Sequence, residues 1–173
     1  MSWLFPSSFR HAALLGCAAA LLLGTGAAQP VLAASGPFIG YSGAWSGSGT
    51  LRTEQRTERV RCNATYEVRD SSGHALGLEL ICHSDDYNFD LVADVQADAS
   101  NRVTGRFSEQ TRHIGGTLIG RARDDRLQIH AESSAFSADV GMTTRGRRQS
   151  VTIDSHGGGQ TVRASITLRR SSR

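Results

Sequence analysis

The chain has 173 residues, with 19 basic and 16 acidic side chains, a formal net charge of +3 and 39% hydrophobic residues. That length fits one ordinary domain with a single modest core. No apolar run is long enough for a comfortable membrane-spanning helix, which argues against a helical membrane protein.

The first 33 residues read as an export signal. Arg10 and His11 supply a short positive flank, residues 12–23 are almost unbroken apolar sequence, and Val31-Leu32-Ala33 has the small-residue spacing of a signal-peptidase site. Cleavage after Ala33 leaves 140 residues with 18 Arg against 16 acids. The expected location is the periplasm or the exterior. A competing reading takes Leu14-Leu15-Gly16-Cys17 as a lipobox with Cys17 lipidated, although the residues after Cys17 stay apolar where a polar tether is usual. The organisation expected is a signal peptide at 1–33, a flexible Gly- and Ser-rich lead at 34–43, and a single domain at 44–173.

From residue 44 onward apolar and polar positions alternate with period two, and no helical period of ten or more residues stands out. The alternation predicts strands at 44–52, 58–68, 76–83, 87–97, 102–108, 113–122, 126–133, 136–144, 149–154 and 161–169. Their short, turn-like separators imply sequential antiparallel pairing. The expected fold is all-β: a meander of about ten strands forming a closed or nearly closed soluble barrel, with a two-sheet sandwich as the alternative.

Two hairpins can be put in register. Folding 60–82 about Ser72 pairs Val68 with Leu76, Tyr66 with Leu78, Ala64 with Leu80 and Cys62 with Cys82, all on one face. Directly opposed antiparallel residues lie within disulfide reach, and an even pair of Cys in an exported chain reads as a disulfide. In the next hairpin, Ala99-Ser100-Asn101 makes a three-residue loop with Asn101 in the left-handed position. Asp98 then faces Arg102 and Asp94 faces Arg106, while Ala93, Val95, Val103 and Phe107 share the apolar side.

The outward face carries residues such as Arg61, Asp90, Arg106, Gln128 and His130, which disfavours a barrel facing lipid. Inward positions are small, among them Gly47, Gly49, Ala64, Gly105, Gly116 and Gly120. Small residues permit close backbone approach at barrel corners, or leave a cavity.

Gly43-Ala44-Trp45 resembles the Gly-x-Trp signature of lipocalins and related calycin barrels, with ten strands closer to the fatty-acid-binding branch. The resemblance implies that Trp45 closes one barrel end and packs beneath an arginine near the chain's end, Arg169 or Arg170, with Arg169 taken as the partner. The same start with one disulfide also resembles small periplasmic metalloprotease inhibitors. The stretch from Val103-Thr-Gly-Arg-Phe through Gly116, Gly120 and Phe136-Ser-Ala to Gly146-Arg-Arg-Gln-Ser resembles small exported proteins of alphaproteobacteria with no assigned activity, and it implies no catalytic residue.

Enzymatic readings are thin. Asp154-Ser155-His156 has the residue types of a hydrolase triad, but it opens the Gly157-Gly158-Gly159 loop and reads first as a turn. His83 with Asp85 and Asp86, or His130 with Glu132, offers two metal ligands without a third. Asn63-Ala64-Thr65 is a glycosylation sequon that matters only in a eukaryotic secretory pathway. No cofactor or metal is expected.

The charge is uneven: residues 34–101 hold five Arg and ten acids, residues 102–173 thirteen Arg and six acids. Arg-rich turns at Arg123-Asp124-Asp125-Arg126 and Arg145–Arg148 suit an anionic envelope surface or a protein partner. Nucleic acid is disfavoured, because the aromatics fall on apolar faces. The leading expectation is an exported non-enzymatic barrel for a small apolar or amphipathic ligand. An interaction module, inhibitor-like or envelope-associated, comes second and a hydrolase third.

Overall fold

The computed structural model describes residues 35–172. The expected signal segment, the site after Ala33 and Cys17 lie outside the described residues. Ten strands follow one another: β1 (Gly43–Arg52), β2 (Thr57–Val68), β3 (Ala75–His83), β4 (Asn88–Ala97), β5 (Arg102–Glu109), β6 (Ile114–Arg123), β7 (Arg126–Ser133), β8 (Phe136–Arg145), β9 (Arg148–Gly157) and β10 (Gln160–Arg170). Each pairs antiparallel with its sequence neighbour, and β1 pairs with β10, which closes the barrel and removes the sandwich alternative. Closure leaves no free sheet edge.

Both hairpin registers predicted from sequence hold. Val68, Tyr66, Ala64 and Cys62 face Leu76, Leu78, Leu80 and Cys82. The Cys62–Cys82 disulfide joins Cα atoms 4.1 Å apart. Asp94 faces Arg106, and Asn101 takes φ 59° at the β4–β5 turn. Asp98 Oδ1 accepts the Ser100 and Arg102 backbone N–H groups at 2.8 and 2.9 Å, so the turn is fixed by its own side chain.

Alternation sends Trp45, Tyr66, Phe107, Leu118, Ile129 and Leu168 into one buried cluster. Tyr66 Oη donates to Gln149 Oε1 at 2.7 Å, and Gln149 Nε2 donates to Thr144 Oγ1 at 2.9 Å. Tyr66 lies on β2 and Gln149, 0% exposed, on β9, so this bond crosses the interior and satisfies a polar group that would otherwise be costly to bury. Burial of Tyr66 pushes its pKa up, so the phenol stays a donor.

The seam between first and last strands depends on glycine. A Cβ on Gly47 would lie 1.9 Å from the Thr167 carbonyl oxygen, and one on Gly49 2.1 Å from that of Ser165. No side chain fits at either of these two positions.

The lead expected to be flexible is instead folded over one barrel end. Gly36 N–H donates to Ser72 O at 2.6 Å and Phe38 N–H to Gly73 O at 3.0 Å, beside the β2–β3 turn. Phe38 is 0% exposed. Phe38, Tyr41, Tyr66 and Trp45 meet edge to face in succession, with centroids 5.6–6.2 Å apart. Gly and Ser content suggested a loose segment, but two aromatic anchors bury it. At the opposite end Glu109 is almost fully buried and accepts N–H groups of Arg112, Thr111 and Asp90 at 2.7–3.3 Å. Desolvation alone would raise its pKa; those donors, with Arg112, outweigh it and hold the carboxyl below its ordinary value.

Candidate functional site

The main concavity is built by β5 to β10. Thr104, Ile119, His130, Asp139, Asp154 and Arg163 stand side by side, one per strand, in cross-strand register. Arg102, Arg121, Gln128, Gly141 and Thr152 form the row beside them on β5 to β9. These rows, with the backbone row between them at Val103, Gly120, Ile129, Val140, Ile153 and Ala164, line a concavity of about 1090 Å³. No residue of β1 to β4 takes part, whereas a lumen would be lined from the opposite wall as well. The concavity is therefore a trough on the outside of the barrel. Gly120 and Gly141 lower its floor, and Ile119 rises from it 58% exposed.

Its polar groups are mostly paired with one another. His130 bridges Asp139 Oδ1 (Nδ1, 2.8 Å) and Glu132 Oε2 (Nε2, 3.3 Å). The hydrogen bond to Asp139, then that to Glu132, raises the His130 pKa above its ordinary 6.5. Arg163 Nε donates to Asp154 Oδ2 at 3.1 Å, and His156 Nε2 lies 3.4 Å from Asp154 Oδ1. Arg102 and Arg121 face each other directly, and no carboxylate among the described residues lies within ion-pair distance of either. The trough thus combines one apolar anchor, two guanidinium groups with no carboxylate at ion-pair distance among the described residues, and hydrogen-bonding side chains, which suits an amphipathic molecule.

The sequence-predicted residues are distributed as follows. Cys62 and Cys82 are joined. The arginine over Trp45 is Arg170, with Cζ 4.7 Å from the ring centroid, and not Arg169. Arg169 lies between Ser46 and Arg148 on the outward face; strand alternation gives the inward place to its neighbour. Asp154-Ser155-His156 belongs to β9 rather than to a turn, which narrows to Gly158-Gly159. Alternation splits the three: Asp154 and His156 meet outside, while Ser155 Oγ turns away to the Ser137 carbonyl at 3.1 Å. No relay can form. Asp86 is taken by Arg56 Nη1 at 2.8 Å, apart from exposed His83. Among the described residues no three His, Cys, Asp or Glu side chains are grouped to hold a metal ion. Asp125 accepts from Arg145 Nε at 2.5 Å, tying the two arginine-rich turns together. That bond, ahead of the charges of Arg145 and Arg126, lowers the Asp125 pKa. Asn63 is exposed between Ser46 and Ile81.

Sequence reading missed Ile119. Its exposure is visible only as an apolar residue on the polar parity of β6, between Leu118 and Gly120.

Fold and site together define a closed ten-stranded antiparallel barrel with a polar trough on its outer wall. No protein-family model and no curated protein sequence matches the chain significantly. The crystal structure of Rv2717c from M. tuberculosis is similar, with a TM-score of 0.61 and 11% identity over 79% of this chain and 94% of that one. At that identity the likeness is one of fold.

Proposed function

We propose that this protein is an exported, non-enzymatic binding barrel whose outer trough takes a small amphipathic ligand. The observation that carries the reading is the exposed Ile119 in a concavity of about 1090 Å³, flanked by Arg121, which has no ion-pair partner among the described residues. The apolar part of a ligand covers Ile119, and an anionic head pairs with Arg102 and Arg121. Export is supported by the Cys62–Cys82 disulfide, which persists in oxidising compartments. No helix among the described residues is long and apolar enough to cross a membrane. Trp45 under Arg170 at the start of β1 supports the calycin-like reading, and the resemblance to small exported alphaproteobacterial proteins fits the same location.

The test is native mass spectrometry of protein purified from the periplasm, alongside Ile119→Asp. Extra mass on the wild type that leaves on denaturation and is missing from the variant supports the proposal. A bare chain in both overturns it.

A second reading, an interaction module for an anionic envelope partner, is favoured by a different observation: Arg145, Arg148 and Arg169 stand abreast across β8, β9 and β10.

A further inference from the structure

Closure of β1 against β10 assembles a surface that no single stretch of sequence contains. On the outward face, Thr143, Ser150, Thr167 and Ser48 form one row across β8, β9, β10 and β1. Thr152, Ser165 and Thr50 form the next row. These seven hydroxyls adjoin one another, and the only one that bonds elsewhere in the described residues is Thr152 Oγ1, to the Gly141 carbonyl at 3.4 Å.

Arginines frame this field on three sides. Arg145, Arg148 and Arg169 run along the end nearest the folded lead. Arg61 and Arg59 flank it on β2, beside Ser48 and Thr50. Arg163 and Arg52, directly opposed, border it on the far side. Of the seven, Arg145 is held by Asp125 and Arg163 by Asp154. Arg52, Arg59, Arg61, Arg148 and Arg169 are exposed, and none has a carboxylate within ion-pair distance among the described residues. Directly opposed like charges destabilise a sheet, so the arrangement calls for negative charge from outside. Five strands at ~4.8 Å spacing and four rows of alternate residues make this face roughly 20 Å on a side.

We propose that this wall is a docking surface for an anionic oligosaccharide. Guanidinium groups bind phosphate, sulfate or carboxylate in forked pairs, and Ser and Thr hydroxyls both donate to and accept from sugar hydroxyls. A nucleic acid is a poorer fit, because β1, β8, β9 and β10 present no outward aromatic for base stacking. A membrane surface is a poorer fit too. The exposed large apolar side chains of the described barrel wall, Ile81 and Ile119, lie on β3 and β6, so nothing on this face would enter the acyl region. The inference rests on the second reading above; its surface shares Thr152 and Arg163 with the edge of the trough, and neither is altered in the test below.

The experiment is titration calorimetry of the mature, oxidised protein with a heparin octasaccharide, maltooctaose, a polyphosphate of equal charge and an oligothymidylate. Variants are Arg148→Glu/Arg169→Glu and Ser150→Ala/Ser165→Ala/Thr167→Val, with thermal unfolding to confirm that each is folded. The expected result is binding of the heparin octasaccharide but not of maltooctaose. Loss of the two guanidinium groups should weaken it by roughly tenfold or more, and loss of the hydroxyls by about threefold or more. Polyphosphate should bind more weakly than heparin and be insensitive to the hydroxyl variant. No heparin binding at physiological salt overturns the proposal. So does polyphosphate or oligothymidylate binding as tight as heparin, which would mean charge attraction without sugar recognition. Because the trough residue Ile119 is untouched, ligand mass lost only in Ile119→Asp leaves this inference standing, and the reverse result separates the two failures.

Discussion

Arg170 lies over Trp45, its guanidinium carbon 4.7 Å from the ring centroid, while the same side chain donates to the Gly40 carbonyl. One residue from the last strand therefore holds the first strand and the folded lead together. Trp45 adds a bond from its indole Nε1 to Tyr41 O at 2.8 Å. Arg170→Ala should lower unfolding free energy by about 1–2 kcal/mol, through the lost cation–π contact and the lost bond to the lead. Arg169→Ala, on the outward face, should stay within about 0.5 kcal/mol. Urea denaturation of both variants checks the pair; equal effects would contradict the assignment to Arg170.

The disulfide closes a sequence separation of 20 residues around the β2–β3 hairpin. A loop of this size is stabilised by roughly 3 kcal/mol, largely through the unfolded chain. Cys62→Ala/Cys82→Ala should show that loss in urea, with the far-UV spectrum of the barrel retained. A variant as stable as the oxidised wild type would refute it.

Gly47→Val should cost about 3 kcal/mol or more, or prevent closure, because its side chain would collide with the Thr167 carbonyl. The obstacle is backbone, which cannot rotate aside. Gly40→Ala, whose Cβ has nothing within 4 Å, serves as the control and should be nearly neutral. Protease resistance of the two purified proteins distinguishes these outcomes.

His130 contributes stability through its charged form, since hydrogen bonds to Asp139 and then Glu132 raise its pKa above 6.5 in the folded state. That contribution is fully present below pH 6.5 and is lost as pH rises through the raised folded value. His130→Gln should flatten this part of the pH–stability curve. NMR titration of the imidazole should place its midpoint above the unfolded value; a midpoint at or below 6.5 would contradict the paired geometry.

Asp70 runs the other way. The Ser72 hydroxyl, then the Ala75 backbone N–H, lowers its pKa from 3.8 to about 2. The β2–β3 turn should keep this contribution above pH 3.8 and lose it as pH falls toward about 2. Carboxyl NMR of wild type and Ser72→Ala checks it, with the variant expected to titrate at higher pH.

The meander was legible because each strand pairs with its neighbour in sequence, so period-two alternation and turn residues suffice. Asp98, Asn101 and the Cys62–Cys82 pair all lie within one hairpin of their partners, and their registers followed from counting. The outer surface was not legible in the same way. Ser48 and Thr167 become neighbours only when β1 meets β10, and nothing local in either strand announces that pairing. The uneven charge between the two halves of the sequence likewise turned into an arginine frame that draws on both halves, through Arg52, Arg59 and Arg61 as well as Arg148 and Arg169. Arg169 was mistaken for Arg170 because a terminal strand's parity is set by one residue, and the sequence-derived strand ended one residue early. The lead was misjudged because composition counts Gly and Ser but does not weigh two aromatic side chains that find a partner at the barrel mouth.

The β1–β10 seam also sets an order of events. Synthesis delivers β1 first and its second partner last, so one edge of β1 waits unpaired until residues 160–170 have emerged. Strands pairing along the sequence can zip as they appear, but the ring itself cannot shut before β10 has emerged. A chain stopped before Gln160 would carry two naked edges, at β1 and β9, each able to recruit another chain. The last eleven strand residues are therefore the difference between a self-contained ring and a seed for aggregation.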